Sequence, residues 1–245
     1  MLKGILFDMG STLLEFENKT WEDMSREGFQ GAYAILRNHG YHLPPFQEMN
    51  QVFWSTFNRF WNVSLESLEE VHLNKIFQDV FNQLSLDIEE CLYPLLVEAH
   101  YKPVSDQVTI YHDTYYTLFT LKEKGLKLAI VSNTVWPAYL HESDLRRFGI
   151  LDFFDDCVFS SEVEIRKPHP KIFRMTLESL ALSPEEAIFV GDRIAEDVMG
   201  AQKVGMKGVL RKHRLRPSNG GNIKPDAEIE QLSELFNLLK EWEMG

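Results

Sequence analysis

The chain has 245 residues, 44 % of them apolar and 25 % charged, with a net charge of −12 and a pI near 5.1. That length suits one large domain, or a core with a smaller insert. The acidic balance excludes nucleic-acid binding as a main function, because most of the surface would repel a phosphate backbone. With no run of about 18 apolar residues, it also excludes a membrane span.

The opening MLKGILFDMG is too short in its apolar part for a signal peptide, and Asp8 interrupts it, so a cytoplasmic location is expected. Cys91 and Cys157 lie far apart and are expected as two buried, reduced thiols. No Cys/His spacing suggests a zinc site.

In chain order, KGILFD at 3–8 reads as a short buried strand. Residues 19–39 read as a helix, with Trp21, Met24, Phe29, Ala32, Ile35 and Leu36 at helical spacings and Gly40 closing it. Further helices are expected over about 46–61, 66–84 and 87–101, the last ended by Pro103. Phe46, Phe53, Phe57 and Phe60 form one aromatic stripe, and Trp54 and Trp61 a second, one position on. Such stripes pack a helical core, or one tryptophan face lines a cleft and selects an apolar substrate body.

After Pro103 the rhythm changes. TIYHDTYYTLFTLKEKG is expected as a helix, LKLAIVSN as a strand, WPAYLHESDLRRFG as a helix and DDCVFSSEV as holding a short strand. HPKIFRMTLESLAL (helix), AIFVGD (strand), AEDVMGAQKVG (helix), KGVLR and AEI (strands) and QLSELFNLLKEW (helix) follow. Alternating strands and helices predict an α/β fold around a parallel sheet. The all-helical stretch 16–104 reads as an insertion after the first strand, with hinges near 14–18 and 101–106.

Ligands of open α/β sheets sit at the carboxyl ends of the strands. Three strands here end in polar groups: Asp8, Ser132 with Asn133, and Gly191 with Asp192. Asp197 follows Asp192 in the first turn of a helix, so three carboxylates can converge. Such a cluster needs a cation, and hard oxygen ligands suit Mg²⁺. Mg²⁺ invites a phosphate as a further ligand. The Ser132 hydroxyl can bond a phosphate oxygen, and Lys167 can reach a phosphoryl group as a point charge. His169 lies close to Lys167. RKHRLR at 211–216 is either a solvated loop or a patch that draws an anionic substrate.

FDMGSTL, IVSNT, KPHPKIF and VGDRIAEDVMGA resemble, in order, the four motifs of the haloacid dehalogenase-like superfamily. The resemblance implies a Rossmann-like core at 1–15 and 105–245 and an inserted α-helical cap at 16–104. It implies that Asp8 is a nucleophile forming an aspartyl-phosphate, with Ser132 and Asn133 holding the substrate. Lys167 would steady nucleophile and phosphate. Asp8, the Gly10 carbonyl, Asp192 and Asp197 would hold Mg²⁺. The implied activity is hydrolysis of a small phosphorylated metabolite by a monomer or homodimer.

The departure is Gly10. Phosphatases of this family place a second Asp there as general acid and base. Three readings follow: substrates whose leaving group needs no proton, such as acyl phosphates; a substitute acid from Glu15, the cap or the substrate; or a weak or inactive protein that binds a phospho-ligand or partner. A dehalogenase is a further reading, opposed by the intact Asp192/Asp197 pair.

Overall fold

Ile5, Leu6 and Phe7 are inaccessible to solvent, and β1 (Gly4–Phe7) runs through the middle of a sheet. The computed structural model describes residues 2–16, 18–215 and 222–244. Six parallel strands take the order β5-β4-β1-β6-β7-β8. They are β1, β4 (Lys127–Ser132), β5 (Asp156–Phe159), β6 (Ala187–Gly191), β7 (Lys207–Arg211) and β8 (Ala227–Ile229). Ile5 and Phe7 pack into one apolar layer with Leu128, Ile130, Ile188 and Val190, while Leu6 packs into the opposite layer with Ala129, Val131 and Phe189. Burial on both faces explains why these strands read as unbroken apolar runs. The layers are closed by α5 (Thr114–Glu123), α6 (Ala138–Arg147), the short α7 (Ser160–Val163), α8 (Pro170–Ser179), α9 (Met199–Lys203) and α10 (Leu235–Met244).

Between β1 and α5 the chain leaves the sheet and returns. The two crossings, β2 (Leu14–Glu15) and β3 (Thr109–Ile110), pair antiparallel. Between them lie α1 (Trp21–Asn38), α2 (Phe46–Ser67), α3 (Leu73–Gln83) and α4 (Tyr93–Gln107). These helices bury a separate aromatic core. The Phe29 and Phe53 rings stack at 4.4 Å, and Phe77 lies 5.7 Å from Phe53.

Several sequence expectations need correction. α2 continues to Ser67, and α3 starts at Leu73 rather than 66. The break is set by tertiary contacts that local pattern does not carry: Glu70 N donates to Glu164 O at 3.0 Å and Leu73 N to Val135 O at 2.9 Å. Pro103 sits inside α4 rather than ending it. The helix survives the lost donor because Tyr101 and Val104 on either side are buried. α4 therefore runs through the hinge expected at 101–106, and the return crossing is β3, so Thr109 and Ile110 are strand rather than helix. Glu17, within the other expected hinge, lies outside the described residues. Cys91 is exposed and Cys157 half-buried, against the expectation of two buried thiols. No helix among the described residues is long and apolar enough to cross a membrane.

Candidate active site

The sheet order puts β4 and β6 on either side of β1, so three strand ends meet at one rim. Asp8 N donates to Val190 O at 2.8 Å, which ties the residue after β1 to β6. Ser132 ends β4, and Asp192 follows β6. Asp8, Asp192 and Asp197 are all buried, and each offers a carboxylate oxygen within 4.8 Å of the others.

Asp197 reaches this point through two local features. Residues Ile194–Val198 form a π-turn, which inserts an extra residue into the helical ladder and re-aims the side chain. Gly191 admits it, because a Cβ there would stand 2.4 Å from Asp197 Cγ. Arg193 N then donates to Asp197 Oδ2 at 2.8 Å.

One ammonium serves two of these acids. Lys167 Nζ lies 2.6 Å from Asp8 Oδ1 and 2.8 Å from Asp197 Oδ1. The second contact is an ion pair without hydrogen-bond alignment, so the buried Asp197 Oδ1 accepts no hydrogen bond. Thr12 Oγ1 donates to Asp8 Oδ2 at 3.2 Å. Burial, opposed by Lys167 and reinforced by Asp197, leaves the Asp8 carboxyl pushed up to about 6. Burial works against the Lys167 charge, but Asp197 and Asp8 outweigh it and hold the ammonium above its ordinary value.

The Lys167 loop is pinned from beneath. Asn133 Nδ2 donates to Lys167 O at 3.0 Å, and Lys167 N donates to Asn133 Oδ1 at 2.7 Å. Asn133, expected on the substrate, lines the cavity and directs its carbonyl oxygen and an amide N–H to the Lys167 backbone. His169 caps α8, its Nδ1 accepting from Lys171 N at 3.1 Å.

Arg166, beside Lys167, is almost wholly buried. It lies 3.7 Å from Glu70 and 4.0 Å from Glu196, and its guanidinium covers the Trp61 ring at 4.5 Å. Burial raises the Glu70 pKa, and Arg166 opposes that. Arg166→Met should leave the Glu70 carboxylate without its buried counter-charge and destabilise the fold by about 3–5 kcal/mol, whereas Arg166→Met combined with Glu70→Leu should recover most of that loss. Urea unfolding of both variants checks this.

The basic cluster is split: Arg211 and His213 turn inward, while Lys212, Arg214 and Leu215 are exposed. Arg211 is buried, donates to Ser11 O at 2.8 Å and covers the Tyr111 ring at 3.8 Å. His213 lies 3.1 Å from Glu15. These residues brace the turn after β1 from behind, and Arg216 lies outside the described residues. Glu15 is engaged by His213, Tyr111 and Arg214 and lies outside the lining of the cavity.

Asp8, Gly10, Ser132, Asn133, Lys167, Asp192 and Asp197 all line one cavity of about 930 Å³ between the sheet rim and the helices. Sequence reasoning missed Thr12, Arg166, Trp21 and Trp136. Thr12 was within reach as the residue four after Asp8; the other three give no local signal.

A family model for haloacid dehalogenase-like hydrolases matches residues 2–205. The glyceraldehyde 3-phosphate phosphatase of Methanopyrus kandleri is 29 % identical over 98 % of both chains, and that of Pyrococcus furiosus is 33 % identical over 98 % of this chain and 93 % of its own. The phosphoserine phosphatase of Thermus thermophilus is 27 % identical over 96 % and 98 %. Among solved structures, a HAD phosphatase from Thermococcus onnurineus is similar at 30 % identity and a TM-score of 0.65, covering 97 % and 98 % of the two chains. The chain belongs to the haloacid dehalogenase-like hydrolases. Within them it stands in the phosphatase class.

Proposed function

We propose that the protein is a Mg²⁺-dependent phosphohydrolase that acts on a small phosphorylated metabolite through an aspartyl-phosphate on Asp8. Residues 16–104 would serve as its cap and residues 1–15 and 105–245 as its core. The observation that carries this reading is the pairing of Asp8 Oδ1 with Lys167 Nζ at 2.6 Å on the floor of the cavity. The ammonium steadies the carboxylate, and the loop bond to Asn133 keeps it there. An Asp8 oxygen attacks phosphorus, the bond to the leaving oxygen breaks, and that oxygen carries the electron pair away. Water then splits the acyl phosphate and releases inorganic phosphate. Lys167 offsets charge on the phosphoryl group in both steps, and Ser132 lies within the same cavity to bond it.

The donor set fits Mg²⁺. It is all oxygen and buried, Asp197 Oδ1 accepts no hydrogen bond, and the nearby cations are the Lys167 ammonium and the Arg193 guanidinium. Asp8, the Gly10 carbonyl, Asp192 and Asp197 would hold the ion, which would supply Lewis-acid stabilisation of phosphoryl charge.

EDTA should abolish turnover of acetyl phosphate. Asp192→Asn should raise the Mg²⁺ concentration for half-maximal rate about 10- to 100-fold, an effect in the range of lost metal-site interactions. Turnover that survives EDTA unchanged would sink the metal assignment. Failure to hydrolyse any phosphate, with phosphate binding retained, would instead favour a ligand-binding protein.

A further inference from the structure

We infer that the site takes phosphate esters of a flat aromatic alcohol, with the ring held against a tryptophan wall opposite Asp8 and the aryloxide leaving without a proton donor from the protein. The inference rests on the proposed phosphohydrolase reading and names its substrate class.

Four of the chain's five tryptophans, Trp21, Trp54, Trp61 and Trp136, line this one cavity. Phe57 joins them into a continuous surface. Trp21 meets Trp136 edge-on at 5.3 Å and Phe57 at 5.9 Å, and Phe57 lies 5.8 Å from Trp54 and 6.2 Å from Trp61. Two positions are fixed from outside the wall. Trp136 Nε1 donates to His100 Nδ1 at 3.3 Å, and Arg166 backs Trp61. Trp21 keeps 38 % of its surface exposed.

Three polar groups at the same mouth are engaged within the protein. Asp23 accepts from Thr20 at 2.6 Å, Lys19 pairs with Glu27 at 2.9 Å, and Asn18 donates to Gln107 O at 2.8 Å. A polyhydroxy body would find its hydroxyls facing rings, whereas a fused ring would find offset and edge-on partners. The volume of about 930 Å³ also exceeds what a phosphoryl group alone fills.

The chemistry of the floor points the same way. Gly10 has no side chain. Outside the three-carboxylate cluster, the carboxyl and imidazole groups lining the cavity among the described residues are Asp23, His141 and Glu196. Both His141 nitrogens are engaged, by Thr134 at 2.7 Å and Tyr101 at 3.1 Å. Glu196 is held by Arg193 at 3.1 Å. Asp23 is held by Thr20 at 2.6 Å, so among the described residues each of these groups is already engaged within the protein. A phenol has a pKa of about 10, whereas an alkoxide is about as basic as hydroxide, whose conjugate acid sits near 15.7. Attack by the Asp8 oxygen on phosphorus expels the aryloxide with its electron pair, and bulk water protonates it.

The test compares 1-naphthyl phosphate, acetyl phosphate and glyceraldehyde 3-phosphate with Mg²⁺, in the wild type, Trp54→Leu and Trp54→Phe. The wild type should favour 1-naphthyl phosphate over glyceraldehyde 3-phosphate by at least about tenfold in kcat/KM, and Trp54→Leu should lower the ratio of naphthyl to acetyl phosphate about tenfold, with Trp54→Phe restoring most of it. An unchanged ratio in an enzyme that hydrolyses acetyl phosphate would overturn the aromatic assignment and leave the phosphohydrolase standing. If no phosphate is turned over, quenching of tryptophan fluorescence decides. Naphthylmethylphosphonate binding at least about tenfold tighter than methylphosphonate upholds the aromatic site, and equal binding overturns it.

Discussion

Asp8→Asn should reduce turnover of every phosphate substrate by at least about 10⁴-fold while leaving the protein folded. The amide keeps the shape of the carboxyl group but cannot act as the attacking oxygen, and loss of a nucleophile removes the covalent route altogether. Folding should survive because Lys167 retains Asp197 at 2.8 Å as a counter-charge. The substitution also relieves the crowding of carboxylates that, with burial, pushes Asp8 up to about 6. Stopped-flow kinetics on acetyl phosphate, with intact-mass detection of a phosphoryl adduct on the wild type alone, checks both halves. An Asp8→Asn enzyme within tenfold of the wild type would remove Asp8 from the reaction.

Gly10→Asp should raise turnover of alkyl phosphates by about 10²–10⁴-fold, the range of a positioned general acid and base, or roughly 3–5.5 kcal/mol of barrier. The backbone permits the change. The glycines in the left-handed region are Gly40, Gly125, Gly149 and Gly205, and Gly10 is outside it. A Cβ at position 10 meets only Phe16 Cδ2 within van der Waals range, at 3.6 Å. The new carboxyl would therefore arrive at the cavity floor without strain, two residues beyond Asp8. Acetyl phosphate, whose leaving carboxylate needs no proton, should change little. A folded, Mg²⁺-responsive variant with no gain on glyceraldehyde 3-phosphate or phosphoserine would show that protonation is not the weak step.

Much of this architecture was legible because its signals are local. β1, β4 and β6 read as apolar runs, each leading to a polar residue, which places Asp8, Ser132 and Asp192 at one rim from the sequence alone. The parallel sheet and the helical insertion followed from the alternation of elements. What escaped depended on residues far apart in the chain. Trp21 and Trp136 meet at 5.3 Å, but nothing near either one hints at the other. Arg166 reads as an ordinary loop arginine; only packing shows that it is buried between Glu70 and Glu196. Within the basic run, charge patterning cannot show Arg211 turning inward to Ser11. Asn133 illustrates the remaining gap. Its position beside Ser132 was plain, but the Lys167 backbone that takes its amide lies 34 residues away.

The turn between α2 and α3 is stitched to the strand of chain leading into Lys167. Glu69 bridges Ile165, Glu70 N donates to Glu164 O at 3.0 Å, and Arg166 N donates to Leu68 O at 3.1 Å. Lifting the helices away from the sheet has to tear these bonds one residue from the ammonium that pairs with Asp8. The seating of the α2–α3 turn and the pairing of Lys167 with Asp8 are therefore coupled through two adjacent residues of one loop.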